Sequence, residues 1–289
     1  MKKNYERSGL IMKGDMRNLS VKLGYAFLIG FVILMTLIAI FPIVWAFFSG
    51  FKDLNEYYSP DVTFLPKTFD FGKITSAWSK LDFASSLANS VIYFAGAWFC
   101  EVIIGGLAGY TISRLKPKGS QLFFRLMLWT MMMPHTLSMV PMFMTWTDLK
   151  MINTFWPLII PCMADSFRIL LFKNFFDKIP ESYIESARID GCTNVGIFFK
   201  IIVPLSLPII SLVSVDAFKG TWNDFMGPFL YLKDAENTTV ALKLFQISKE
   251  YTEPEQMLCA FLIMVPSVIV FMICAKQIFS NDMSVGVKE

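Results

Sequence analysis

The sequence has little of what enzymes and soluble domains usually need. It contains a single histidine, His135, and charged residues make up only 17% of its 289 positions. An ordinary soluble domain carries about 25% charged residues. None of its cysteines are paired at the CxxC spacing that zinc sites and redox pairs use. These absences predict no metal site and no catalytic residues, and they exclude a secreted disulfide scaffold.

A nucleotide-binding loop is also missing. Gly9 and Gly14 have the glycine spacing of a phosphate-binding loop, but Asp15 and Met16 stand where that loop requires Lys and Ser or Thr. The net charge is only +3, and the basic residues are distributed between apolar runs instead of forming one patch. We therefore expect no nucleic-acid partner, and any nucleotide energy must come from another chain.

Apolar residues are present in excess, at 55% of the chain, and they are gathered into blocks with few charges. A run of about 18 apolar residues can cross a bilayer, because each helical residue rises 1.5 Å. The blocks predict about six spanning helices. They lie at 23–48, 87–112, 126–146, 151–172, 201–232 and 256–275, and the fourth has the shortest uncharged part. The first is too long for the apolar part of a signal peptide, so we expect it to be retained.

The distribution of Lys and Arg gives these helices a direction. Cytoplasmic loops of membrane proteins are enriched in Lys and Arg. Most basic residues lie in the N-terminal arm and in the loops after the second and fourth runs. We therefore expect a multi-pass protein of a bacterial-type plasma membrane, in contact with lipid, with both termini cytoplasmic. The predicted organisation is a cytoplasmic arm at 1–22, a first span at 23–48, an extracytoplasmic loop at 49–86, a five-span core at 87–280 and a cytoplasmic tail at 281–289.

The cytoplasmic loop at 179–208 contains the most specific pattern. Pro180 can begin a helix, where its missing N–H leaves no bond unmade, and Gly191 can end it. Thr193 can cap a second helix, in which four apolar residues at i, i+3, i+4 and i+7 form one stripe. They are Val195, Phe198, Phe199 and Ile202. The pattern predicts a helix, a turn and an amphipathic helix that lies against the cytoplasmic face.

The same loop resembles the EAA loop of ABC importer permeases. The family pattern reads E-A-A, three residues, G, nine residues, I, one residue, L-P. The spacing fits throughout, with Ser186 in place of the middle alanine and Val203 in place of the leucine. The matching positions are Ile179, Pro180, Glu181, Glu185, Ser186, Ala187, Gly191, Ile201, Val203 and Pro204.

Short motifs elsewhere are similar to the carbohydrate-uptake branch of that family, the maltose-permease-type subunit. They are Phe41-Pro42, Asn89-Ser90, Met133-Pro134, Asn153-Thr154 and Trp222-Asn223-Asp224-Phe225. The tail Val285-Gly286-Val287-Lys288 is similar to a family ending G-A-V-K, but Val285 stands where the first glycine is usual. The resemblance implies an all-α integral membrane protein with the type I ABC importer permease fold.

The resemblance also implies partners and a coupling site. In that family a cytoplasmic ATPase dimer binds the EAA helix, a second homologous permease completes the path, and an extracytoplasmic binding protein delivers the solute. ATP and Mg²⁺ would be bound by the ATPase, and this chain would bind no cofactor. The residues implied in coupling are Glu181, Glu185, Ser186, Ala187, Asp190, Gly191, Ile201 and Pro204. Among them, Glu185 and Asp190 could engage cations of the ATPase, Ala187 and Gly191 would permit close approach, and Asp190 could instead cap the turn.

Polar residues inside the apolar runs are candidates for the translocation path, because charges at bilayer depth are costly and usually face a cavity or a partner. The candidates are Glu101, Asp216, Lys219, Trp222 and Asn223. Glu101 and Asp216 either line the path or form charge pairs that permit insertion, and Asp216 with Lys219 has the i, i+3 spacing of a pair. Trp222 and Asn223 either contact a sugar or form an aromatic anchor at the outer interface.

Two further spacings inside the apolar runs concern packing and pairing. Asp165 and Arg168 have the same i, i+3 spacing, and for them a charge pair is the favoured interpretation. Gly105 and Gly109 form a GxxxG pattern, which favours close helix packing within the chain or with the partner permease.

The sequence therefore predicts the permease subunit of an ATP-driven importer for a sugar or oligosaccharide. An alternative is the same machine with another solute, such as glycerol phosphate or a polyol. A different class is a proton- or sodium-driven carrier that uses Glu101 and Asp216, against which the ATPase-docking motif argues. A membrane enzyme would need a converging set of residues around His135, and the sequence offers none.

Overall fold

The computed structural model of the protein describes residues 19–248 and 250–279. Within these residues the chain is helical and contains no strand, which confirms the predicted all-α class. Most of the predicted cytoplasmic arm and the whole of the predicted tail at 281–289, with its family-like ending, lie outside the described residues.

The helices follow one another along the chain with few long connections. The first half contains α1 Leu19–Gly50, α2 Leu54–Tyr57, α3 Gly72–Lys80, α4 Phe83–Trp98, α5 Gly105–Tyr110, α6 Ser120–Met131 and α7 Met139–Asp148. The second half contains α8 Trp156–Ile159, α9 Ser166–Phe176, α10 Glu181–Ile189, α11 Asn194–Ile197, α12 Val203–Leu205, α13 Leu207–Trp222, α14 Met226–Tyr231, α15 Val240–Ile247 and α16 Glu253–Phe279. Wider π-helical turns at Phe99–Ile104, Thr111–Leu115 and Phe198–Ile202 continue α4, α5 and α11, and 3₁₀ turns lie at His135–Ser138, Ile160–Ala164 and Ala235–Asn237.

Three helices of the described part are long and apolar enough to cross a membrane. They are Leu19–Gly50, the continuous helix Phe83–Leu115, and Glu253–Ile273. A pair of helices bent by 80°, Asn194–Leu205 with Leu207–Trp222, raises the number to four if it is one span. The predicted third and fourth spans consist of shorter pieces, so six continuous spans remain a prediction.

The breaks in these two predicted spans have local causes. Pro134 is extended, with ψ 127°, and it separates α6 from the 3₁₀ turn before α7. A proline has no N–H to continue a helical ladder. Asp165 is also extended, with ψ 103°, and its side chain accepts a 2.9 Å hydrogen bond from the backbone N–H of Arg168. An aspartate in this position caps a new helix, so α9 starts here instead of continuing from α8.

Hydrogen bonds between segments that are distant in the sequence show which connections lie at the same end of the molecule. At one end, the guanidinium of Arg114 donates to the backbone carbonyls of Phe176 and Ile179. At the other end, the amide of Asn89 donates to the carbonyl of Thr238 at 3.1 Å. The loop after the second predicted span therefore lies beside the 179–208 loop, as alternation across six passes requires.

Glycine allows one pair of helices to pack closely. A Cβ on Gly109 of α5 would lie 2.7 Å from the Cβ of Phe172 and 3.0 Å from the backbone N of Lys173 in α9. A Cβ on Gly105 would lie 3.8 Å from its nearest neighbour in Ile169, which is ordinary van der Waals contact. Of the two glycines in the predicted packing motif, Gly109 is therefore the one that α9 requires.

We expect Gly109→Ala to destabilise the protein by about 1–3 kcal/mol, because the backbone of α9 cannot move away as a flexible side chain would. Gly105→Ala is the matched control, with the same added methyl group on the same helix. The midpoint of thermal unfolding in detergent measures both variants. Equal midpoints for the two variants would contradict this account of the packing.

Candidate functional sites: a loop helix and a charged cavity

Helix α10 occupies the centre of the motif-bearing loop. It begins directly after Pro180, and Glu181 in its first turn lies at the positive end of the helix dipole. It ends before Gly191, whose φ of 77° is in the left-handed region that glycine enters without a steric penalty. Thr193 then caps the next helix by accepting a 3.1 Å hydrogen bond from the N–H of Gly196. These boundaries lie where the sequence predicts them.

The two faces of α10 differ. Ile184 and Ala187 are buried against the core at this end of the molecule. Glu185, Ser186 and Asp190 are exposed on the other side, together with Glu181 at the start of the helix. The small side chain of Ala187 therefore permits close approach of α10 to the core of its own chain.

The predicted turn residues have backbone roles. A Cβ on Gly191 would meet nothing within 4 Å, so its backbone conformation, not lack of space, requires glycine. Asp190 follows α10 directly, and its backbone N–H donates to the carbonyl of Ser186 at 3.0 Å. Ile201 is half-buried against the core, and Pro204 is exposed at the start of α12.

The predicted apolar stripe is partly wrong. Phe198 and Ile202 are buried as expected, but Val195 is 62% exposed and Phe199 is 48% exposed. Ile197, which the stripe omits, is fully buried. The π-helical turn at Phe198–Ile202 changes the angular spacing of the residues, so the 3.6-residue period fails there.

This loop region consequently presents apolar side chains to its surroundings. The large exposed ones on α10, on α11 and in the π-helical turn are Tyr183, Ile189, Val195 and Phe199. Ile189 is the extreme case, with 87% of its surface exposed. Exposed apolar side chains beside the acidic residues of α10 are typical of a protein-binding surface.

A group of hydrogen bonds and one ion pair, which the sequence does not predict, holds the start of this loop in place. Besides the two Arg114 bonds, Ser113 Oγ donates to Asp177 Oδ1 at 2.6 Å, and Lys173 Nζ lies 2.7 Å from Asp177 Oδ2. Partial burial raises the pKa of Asp177, but the hydrogen bonds from Lys173 and Ser113 outweigh it, so the pKa lies below its usual value. The sequence shows Arg114 only as one more basic residue of a loop that is predicted to be cytoplasmic.

A second group of functional candidates meets around Arg168. Its Nε lies 2.9 Å from Glu101 Oε2, its Nη1 lies 2.6 Å from Asp165 Oδ2, and its Nη2 lies 2.9 Å from Asp216 Oδ2. The guanidinium therefore joins the second predicted span, the start of α9 and α13. Charge pairing, one of the two interpretations open for Glu101 and Asp216, is present in the structure.

One expectation about these charges needs correction. Asp216 pairs with Arg168, and Lys219, its neighbour at i+3, is exposed. The error arises because spacing along one helix says nothing about a partner 48 positions away.

The Arg168 network borders a cavity of about 970 Å³. Its described walls come from the second predicted span, the broken third and fourth spans, α13 and α14. Its charged lining residues are Glu101, Asp165, Arg168 and Asp224. Asp224 accepts hydrogen bonds from Tyr93 OH at 2.9 Å and from the N–H of Gly227 at 3.0 Å.

The predicted sugar-contacting pair does not line this cavity. Trp222 is buried, stacks on Phe218 with ring centroids 5.1 Å apart, and donates from Nε1 to the carbonyl of Ile263 at 3.1 Å. It therefore offers neither an open face for a sugar nor an exposed anchor. Asn223 is exposed and donates to the carbonyl of Lys219 at 2.9 Å. Their neighbour Asp224 is the residue of this motif that reaches the cavity.

A helical membrane protein with a charged cavity among broken helices and a helix-turn-helix loop at one end has the plan of a transporter subunit. The chain belongs to the family of binding-protein-dependent transport system inner membrane components, whose family model matches residues 101–281. It is thus a permease subunit of an ABC importer and not an enzyme, as the sequence predicts.

Relatives agree with this assignment over most of their length. The chain is 33% identical over 218 residues to the polygalacturonan/rhamnogalacturonan transport system permease protein YtcP of Bacillus subtilis (strain 168), covering 75% of this chain and 76% of that protein. It is 27% identical to the arabinooligosaccharides transport system permease protein AraQ of Halalkalibacterium halodurans, covering 93% and 98%.

A solved structure shares the fold. A chain of a bacterial ABC transporter involved in the import of the acidic polysaccharide alginate superposes with a TM-score of 0.75 at 22% identity. The match covers 93% of this chain and 99% of that one. At this identity the likeness establishes the type I permease fold and nothing about the solute.

Proposed function

We propose that this permease subunit carries a sugar or oligosaccharide across the plasma membrane. The observation that carries the proposal is the similarity to saccharide permeases, with 33% identity over 75% of the chain in the case of YtcP. Relatives named for arabinooligosaccharides and galactooligosaccharides are 27% identical over 88% or more of this chain. These names support a saccharide over glycerol phosphate or a polyol.

The family description implies partners in general, and the exposed residues suggest where they bind. We assign α10 and the helix after it to an ATPase dimer, which would bind ATP and Mg²⁺ on its own chains. The acidic residues Glu181, Glu185 and Asp190 are exposed there beside apolar side chains. Charged and apolar groups of this kind would give a partner both orientation and affinity.

Two further partners would complete the importer. A second, homologous permease would close the open side of the cavity, and an extracytoplasmic binding protein would deliver the solute to the opposite end from α10. Helix α1 has no buried residue in its most apolar stretch, so its surface is available to lipid and to the second permease. In this arrangement the α10 end and both termini are cytoplasmic.

Uptake in a deletion strain tests the proposal. Cells that lack this gene are expected to lose uptake of one saccharide from a labelled panel of neutral and acidic oligosaccharides, glycerol phosphate and polyols. Restoring the gene is expected to restore that uptake. Loss of glycerol phosphate or polyol uptake, with every saccharide unaffected, would contradict the saccharide assignment.

A further inference from the structure

The cavity beside Arg168 has an unbalanced set of charges. Three carboxyl groups line it, those of Glu101, Asp165 and Asp224, whereas Arg168 is the single cation among the described lining side chains. Asp216 adds a fourth carboxylate at the guanidinium. Acidic groups thus outnumber the cation on the part of the wall that this chain supplies.

The cation is ion-paired with three carboxylates of the protein itself. Each of the three guanidinium nitrogens of Arg168 lies within 2.9 Å of a different carboxylate. Its side chain is only 16% exposed. A solute carboxylate would compete with these three partners for a mostly buried guanidinium, and displacing one of them would strand a charge at bilayer depth, which is costly. Arg168 is therefore unsuited to recognise an anionic solute.

Asp224, the remaining carboxyl group of the cavity lining, is not paired with Arg168. Asp224 is held by two neutral donors, Tyr93 OH and the N–H of Gly227. No ion pair of Asp224 is present among the described residues. Much of the remaining wall is apolar, including Met131, Met139 and Met142. Walls of low polarity focus the field of such a charge into the cavity.

We propose that this chain gives the translocation cavity a negative field, which admits uncharged and cationic saccharides and disfavours uronates and other anionic saccharides. The statement about saccharides rests on the proposed function. The fold is shared with an importer of the acidic polysaccharide alginate, but the solute is set by side chains such as these and not by the fold.

A native cysteine allows the field to be measured without transport. Cys162 lines the cavity, Cys100 and Cys259 are buried, and Cys192 lies in the loop beyond α10. In the complete transporter carrying Cys192→Ser and Cys274→Ser, Cys162 would be labelled with a cationic and an anionic methanethiosulfonate reagent. The labelling rate with the cationic reagent is divided by the rate with the anionic reagent. This ratio, normalised to the same ratio for a free thiol in solution, reports the electrostatic potential at Cys162.

We expect a normalised ratio of at least about ten in favour of the cationic reagent, because a charged cleft raises the association rate of oppositely charged molecules by about tenfold or more. Asp224→Asn and Asp165→Asn are each expected to reduce the preference, and asparagine preserves the cap of α9. Asp148→Asn, an exposed carboxylate that does not line the cavity, is the matched control. A normalised ratio of one or below, or no labelling of Cys162, would overturn the proposal.

Uptake separates this inference from the proposed function. Cells with the whole transporter are expected to import galactotriose and not trigalacturonate. Preferential import of trigalacturonate would overturn the inference even if the saccharide assignment is right. If no saccharide in the panel is imported, the proposed function fails, and the labelling ratio still decides whether the cavity is negative.

Discussion

Replacing Arg168 by glutamine is expected to leave little folded protein in the membrane. Its guanidinium contacts three carboxylates at 2.6 to 2.9 Å, and Glu101 among them is only 4% exposed. Removing one partner of a buried pair leaves an uncompensated charge and costs roughly 3–5 kcal/mol. That is a large share of a total stability of about 5–15 kcal/mol. The yield of monodisperse protein after detergent extraction measures the loss.

A rescue and a control make this result specific. Adding Glu101→Gln to Arg168→Gln removes the most buried of the stranded charges, so part of the yield is expected to return. Lys219→Gln is the control, because it removes an exposed cation that forms no ion pair among the described residues. A normal yield for Arg168→Gln, or an equal loss for Lys219→Gln, would contradict the structural role of the network.

Reversing the charge of Glu185 is expected to abolish transport without affecting insertion. Glu185 is exposed on α10, so Glu185→Lys disturbs no internal packing. If α10 docks on cations of an ATPase, the new lysine places like charges together, which costs several kcal/mol at an interface. Since about 1.4 kcal/mol corresponds to a factor of ten, ATP-dependent uptake and co-purification of the ATPase are both expected to fall more than tenfold.

The control for this charge reversal lies at the opposite end of the molecule. Glu236→Lys changes the charge by the same amount at an exposed position in the short 3₁₀ turn before α15. It is expected to leave ATPase co-purification unchanged. Should Glu185→Lys retain both uptake and the bound ATPase, α10 would not be the docking helix.

Local rules explain how much of the motif-bearing loop the sequence predicts. Pro180, Gly191 and Thr193 act on the backbone within a few residues of themselves, so the ends of α10 and the start of the next helix lie where they are expected. The stripe on the second helix depends on a regular period. The π-helical turn interrupts that period from Phe198 onward, and Phe199 faces outward, while Val195 is exposed in the short α11 that precedes the turn.

The charged cavity could not be predicted in the same way. Arg168 draws its partners from residues 67 and 48 positions away as well as from Asp165, and only the packing of three helices brings these groups together. The motif at Trp222 identifies the right stretch of chain but the wrong residue. Helix packing turns Trp222 into the core and leaves Asp224 at the cavity.

The apolar runs predict membrane helices but not their continuity. Composition identifies the two long helices at the ends of the described chain and the long second helix. It does not show that Pro134 and Asp165 divide the third and fourth runs. These divisions bring short segments and their polar ends to the wall of the cavity, so the departures from regular helices coincide with the site.

The energy source of transport tests the account most directly. Membrane vesicles that contain the whole transporter would be loaded with ATP and Mg²⁺, supplied with the binding protein outside, and held without a proton or sodium gradient. The account predicts that the saccharide accumulates in these vesicles, and that it does not when Glu185→Lys replaces the native chain. Accumulation that requires an ion gradient and proceeds without ATP would contradict it.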